Sequence, residues 1–164
     1  DRGREVTFQE YFVQRRHDVA VSSLRFDGAD AAEPAPAVLE ALTAADRVVI
    51  APSNPFVSID PVLAVAGVRD AVVRRRHDVV AVSPIVAGSA LKGPADRLLR
   101  ELGHEPSVVG IARYYAPLAN TLVIDEADAD HADSVVAAGM RPVVAPTVMR
   151  TPELAAALAR TVLA

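Results

Sequence analysis

The sequence has 164 residues, 51% of them hydrophobic and 23% charged, which is enough for one domain with a substantial buried core. A net charge of −4 lacks the broad basic footprint of a nucleic-acid binder, so any cationic chemistry must be local. With no cysteine there are no disulfides, thiolate metal sites or thiol nucleophile, and a reducing cytoplasm is the expected location.

The apolar runs are short and broken by Arg, Asp and Pro, so no membrane span is expected. The histidines at 17, 77, 104 and 131 lack the close helical pairing of a zinc motif. The chain opens on "DRGREV" rather than on an initiator Met, which suggests the later part of a longer polypeptide.

Taken in order, Thr7 and Glu10 have capping-box spacing, and Phe8, Tyr11 and Phe12 follow at helical intervals. Residues 19–26, "VAVSSLRF", read as a strand from their β-branched content and alternation. "PAPAVLEALTAA" reads as a helix with Leu39 and Leu42 on one face, and "RVVIA" as a short strand buried on both sides. Residues 61–76 are predicted to form a helix with a possible kink near Gly67, and 79–82 a second buried strand.

A helix over 94–102 ends at Gly103, and another covers about 107–115. "TLVID" is a strand, "ADADHADSVVAAG" a helix stopped by Gly139, and "RPVVA" a strand. Thr151 is the expected N-cap of the closing helix, with Pro152 in its first turn. Strands alternating with helices predict a Rossmann-like, doubly wound α/β fold with a mainly parallel sheet and helices on both faces.

Open α/β sheets bind ligands outside the carboxyl ends of their strands, so the segments following each strand matter most. In "PSNPFVSIDP" two prolines stiffen the backbone around Ser53 and Asn54, and Ser58 lies just before a helix start that suits an anion. A rigid turn with an ordinary Asn or Ser cap explains the same residues. "SPIVAGSALKGPAD" holds Ser83, Gly88, Lys92 and Gly93 before a helix, and Lys92 is the only lysine in the chain. Two glycines allow close backbone approach to a phosphate that an ammonium could reach, although the Walker spacing is absent. A plain helix entry with a solvated lysine accounts for the pattern as well.

Asp125, Glu126 and Asp128 could hold Mg²⁺, or simply offset a helix dipole. Arg113 could clamp a phosphate and Tyr114 or Tyr115 stack on a ring, though helix-end charge and core packing explain them too. "RRRH", 74–77, is read as a helix C-terminus complementing its own dipole. No Ser-His-Asp constellation and no GxGxxG following a strand is present, so positioning and charge neutralisation around a phosphate fit better than covalent catalysis.

"APSNPFVSIDPVLAVAGVRDAV", "VVAVSPIVAGSALKGPADRLLRELG", "IARYY" and "LVIDEAD" together resemble the 2-phospho-L-lactate transferase family, CofD, whose actinobacterial members are called FbiA. The likeness runs from "TFQEYFVQRRHD" to "VVAPTVM" in one order, without the Gly-rich N-terminal segment typical of the family. It implies that residues 1–164 are the C-terminal part of a single CofD-like domain. It also implies transfer of a phospholactyl or phosphoenolpyruvyl group from a guanosine diphosphate conjugate to the deazaflavin alcohol Fo, releasing GMP in coenzyme F-420 biosynthesis. Mg²⁺ as cofactor and a homodimer are expected with it, and neither nucleic acid nor membrane is an expected partner.

On this resemblance Ser53, Asn54 and Ser58 line the substrate cleft, and Ser83, Gly88, Lys92 and Gly93 lie beside the nucleotide. Arg113 and Tyr115 are further substrate-binding candidates, and Asp125 is the candidate metal ligand, with other ligands expected outside the chain. A non-catalytic relative binding a nucleotide sugar or dinucleotide is the alternative. Those regulators carry a motif closer to "GPGSLYTS" where this sequence has "PSNPFVS".

Overall fold

In the computed structural model, residues 3–91 and 93–164 are described. The elements in chain order are α1 (Val38–Ala44), β1 (Val48–Ile50), α2 (Asp60–Leu63), α3 (Val68–Arg74), β2 (Val79–Val82), β3 (Ile85–Val86) and β4 (Ser89–Ala90). They continue with α4 (Ala95–Glu101), α5 (Val108–Tyr115), β5 (Thr121–Ile124), α6 (Ala132–Ala137), β6 (Arg141–Val144) and α7 (Pro152–Leu163). Wide helical turns at Glu10–Gln14 and Pro55–Ile59, and tight ones at Arg76–Asp78 and Glu126–His131, complete the set.

Strands β1, β2, β5 and β6 form one parallel sheet in that order, with Ile50 beside Ala81, Val82 beside Val123 and Ile124 beside Val144. Every crossover steps the same way across the sheet. Right-handed connections that advance in one direction put their helices on one face, which leaves the opposite face for α7. Two apolar clusters record this division. Val79, Ala81, Leu122 and Ile124 pack with Leu98, Leu99, Ile111 and Val135, while the alternate residues Val80, Val82 and Val123 pack on Leu158 and Val162 of α7. The expected Rossmann-like, mainly parallel α/β fold with helices on both faces is therefore the one formed.

Several elements differ from the sequence reading. Residues 19–26 form no strand. Instead α4 holds this segment by its side chains: Arg97 donates to the Val19 carbonyl at 2.5 Å and Glu101 accepts from the Val21 amide at 2.9 Å. Those charge-assisted bonds satisfy backbone groups that a strand would have paired in a ladder. Among the described residues β1 lies at the edge of the sheet, and Val49 is 41% exposed rather than buried on both sides. The predicted 61–76 helix is two helices, α2 and α3, joined through Gly67.

Arg75 and Arg76 cap helices other than their own. Arg75 donates to the carbonyls of Leu42 and Thr43, each at 3.1 Å, and of Ala45, at the end of α1. Arg76 donates to Ala116 at 2.5 Å and Gly139 at 2.8 Å, just past α5 and α6. One "RR" pair thereby satisfies carbonyls left free at three helix ends.

Candidate functional site

The parallel register brings the segments after β1, β2, β5 and β6 to one edge of the sheet. After β1, Asn54 caps the turn Pro55–Ile59, and its Oδ1 accepts from the amides of Phe56 at 3.0 Å and Val57 at 3.4 Å. Among the described residues Asn54 Nδ2 is buried without a hydrogen-bond partner. A buried donor of this kind costs about 1–3 kcal/mol while unmade, so it marks a place where a ligand oxygen would be welcome. Ser53 is half-buried beside it, and Ser58 is exposed on the outer side of the turn.

Ser83 follows β2 and is buried, with its hydroxyl donating to the Ile85 carbonyl at 2.9 Å and accepting from the Ile85 amide at 3.1 Å. That exchange starts an element absent from the sequence reading, the β3–β4 hairpin. Its two turn residues, Ala87 at φ 50° and Gly88 at φ 75°, are both left-handed, as a two-residue hairpin turn demands. Alanine is unfavourable there, and the Ala87 amide is held by the buried Asp128 carboxylate at 3.0 Å. Gly88 thus has a turn to make, and Gly93 is exposed at the entry to α4. Lys92 lies outside the described residues.

Asp125 follows β5. Its Oδ1 accepts from the Ala127 amide at 3.1 Å, and its Oδ2 accepts from Thr147 twice, from the amide at 2.8 Å and the hydroxyl at 2.9 Å. Burial pushes this carboxyl up, but the bonds from Thr147 and Ala127 outweigh it and hold the group below the usual carboxylate range. Asp125 therefore ties the end of β5 to the loop after β6. Among the described residues no three His, Asp or Glu side chains gather as a metal site. As a resident Mg²⁺ site the described set does not fit, because the Asp125 carboxylate is engaged by three protein donors and no group of three His, Asp or Glu forms around it.

Arg113 is exposed and ion-paired with Glu105 at 2.5 Å. Tyr115 is fully buried, with its hydroxyl unpartnered and no free face for stacking; burial first, then Tyr114 and Asp60, push its phenol well above the ordinary value. Its neighbour Tyr114 is the residue that reaches the cleft loop. It donates to Asp60 Oδ2 and packs edge-on against Phe56, with ring centroids 5.1 Å apart. Beside Val57 and Pro61 opens a cavity of about 510 Å³, walled by residues 19–26 and by Val6, Phe8 and Tyr11. Its lining is nearly evenly polar and apolar, with arginines 4, 15 and 25 around it, a mixture suited to a planar organic ligand with a polar tail. The three Arg each pair with a carboxylate.

A parallel α/β sheet carrying polar loops at its carboxyl edge, beside a partly apolar cavity, is of the Rossmann-like class, in which ligands bind outside the strand ends. Comparison of the sequence narrows the class. The chain belongs to the 2-phospho-L-lactate transferase CofD family, which it matches over residues 1–160. It is 43% identical over 157 residues to a phosphoenolpyruvate transferase of Thermobifida fusca, covering 95% of this chain and 47% of that protein. A phosphoenolpyruvate transferase of Streptomyces griseus is 40% identical over 96% of this chain and 50% of its own length. A 2-phospho-L-lactate transferase of Methanothermobacter thermautotrophicus is 40% identical over 77% of this chain and 40% of its own length. The chain spans about half the length of the curated relatives it matches.

Proposed function

We propose that this chain supplies the strand-end loops of a transferase that moves a phosphoenolpyruvyl or phospholactyl group from a guanosine diphosphate conjugate to the deazaflavin alcohol Fo. GMP leaves, and the product is a coenzyme F-420 precursor. The observation that carries this reading is the relation to proteins named phosphoenolpyruvate transferase and 2-phospho-L-lactate transferase, together with a family match over residues 1–160 that takes in every strand-end loop described above. The geometry supports it in two places. Asn54 Nδ2 is a fixed, partnerless donor for a phosphate or carboxylate oxygen, and the cavity beside Val57 has the size and lining for a fused-ring acceptor.

In this reading the acceptor's terminal hydroxyl attacks the phosphorus bearing the organic acid, and the bond to the GMP oxygen breaks. The chain's part is to align that hydroxyl and to surround the diphosphate with donors, chiefly Asn54 and backbone amides of the strand-end turns. Lys92 and Gly93 would act at the diphosphate, with Ser53 and Ser58 at the rim. Mg²⁺ belongs to the same proposal, with its main ligands outside this chain. A cytoplasmic homodimer belongs to the same proposal.

The test is GMP release by the full-length protein supplied with Fo and either donor. Turnover with the phosphoenolpyruvyl conjugate supports the form shared with the actinobacterial relatives, and turnover with the phospholactyl conjugate the other. Binding of nucleotide sugars with no release of GMP in either assay would replace the transferase by a non-catalytic regulator.

A further inference from the structure

Asn54 can direct its Nδ2 only if its amide plane is fixed, and the bonds to Oδ1 from Phe56 and Val57 fix it. The placement of Phe56 therefore decides where the free donor points. Phe56 is 4% exposed and sits in a closed triangle of rings, 5.5 Å from His104 and 5.1 Å from Tyr114, with His104 and Tyr114 5.1 Å apart. Tyr114 also holds the far end of the same turn, because its hydroxyl donates to Asp60 Oδ2 while Asp60 Oδ1 accepts from Arg69 at 3.3 Å. A single side chain on α5 thus grips both ends of the stretch 56–60. Burial and the Asp60 carboxylate keep that hydroxyl protonated and donating.

We propose that Tyr114 is a positioning residue for transfer: with Asp60 it locks the turn that aims Asn54 Nδ2 at the substrate. The inference rests on the transferase reading for its catalytic consequence and on the ring and hydroxyl contacts alone for its structural one. Residues after the motif "PSNP" and residues at the end of α5 are joined only in the folded chain, about fifty positions apart in sequence.

The experiment compares full-length wild type, Tyr114→Phe, Asp60→Ala and the double variant. Tyr114→Phe keeps the ring against Phe56 and removes only the hydroxyl. Exchange of the Phe56 and Val57 amides is expected to rise about tenfold while amides in β5 keep their protection, since only the local opening changes. The kcat is expected to fall about tenfold with KM for both substrates held within about twofold, the signature of lost alignment rather than lost binding. The double variant should lose little more than either single one, because both remove the same bond. Wild-type exchange at Phe56 and Val57 in Tyr114→Phe, or a kcat loss that only tracks a fall in melting temperature, overturns the proposal. If the wild type releases no GMP, the transferase reading falls, and the exchange data still decide whether Tyr114 locks the turn.

Discussion

Replacing Asp125 by Ala separates two roles that the sequence left together, metal ligand and structural tie. The substitution removes an N-cap acceptor for the Ala127 amide, worth about 1 kcal/mol. It also strands the amide and hydroxyl of Thr147, a residue only 4% exposed, at about 1–3 kcal/mol. The expected loss is roughly 2–4 kcal/mol, or on the order of 5–15 °C in melting temperature for a chain of this size. Because the folded pKa of Asp125 is depressed, its contribution is complete above the ordinary carboxylate pKa and is lost as pH falls through the folded value. The gap between wild type and Asp125→Ala should therefore be constant at neutral pH and close under strongly acid conditions. Thermal unfolding across pH measures this. An unchanged melting temperature accompanied by lost turnover would refute the structural assignment and return Asp125 to the metal.

Tyr115→Phe removes a buried hydroxyl that has no partner, so stability should hold or rise slightly, within about 1 kcal/mol, and turnover should be retained; a large loss of either would mean the hydroxyl has a ligand. Gly110→Ala should destabilise by at least about 2 kcal/mol in chemical denaturation, because its Cβ would lie 1.9 Å from the Glu105 carbonyl oxygen, and backbone there must move. Arg113→Ala should change stability by less than about 0.5 kcal/mol, since its ion pair with Glu105 is exposed, and a severalfold rise in KM would then reveal a substrate contact. The phenols of Tyr114 and Tyr115 are raised, so the stability tied to their neutral forms persists below about pH 10 and is lost only as pH climbs toward the folded values. Their ultraviolet ionisation signal should appear together with alkaline unfolding, and an early, reversible signal from all three tyrosines would contradict the burial.

The fold was legible wherever burial is two-sided or a cap is local. Val79–Val82 is an unbroken apolar run and Thr121–Ile124 has a single Thr before three apolar residues, as central parallel strands favour, and all eight residues are buried. Ser107 and Thr151 accept from the amides three residues on, at 3.1 and 3.3 Å. Long-range partners were not legible. The alternation at 19–26 looks like a strand, and only Arg97 and Glu101, some eighty residues away, make another conformation better. The hairpin escaped because Ala-Gly is a weak turn signature without the Asp128 bond that holds it. Tyr114 and Tyr115 stand about 100° apart on α5, so one faces the core and the other the cleft loop, and helical spacing alone gives no reason to choose.

The strand-end residues are distinguished by what bonding capacity they have left rather than by their type. The Ser83 hydroxyl donates to and accepts from Ile85, so its strongest uses are taken within the turn. Asp125 can only accept, and three protein donors already reach it. Asn54 carries an acceptor and two donated protons; the acceptor is consumed in capping the turn, and the cap leaves the donors buried and unmade. A protein that only needed the cap would do as well with Ser, whose one hydroxyl caps without a second polar atom behind it. The amide is thus the group whose chemistry exceeds its structural duty, and a ligand rich in acceptor oxygens, such as a diphosphate, is what that excess is suited to hold.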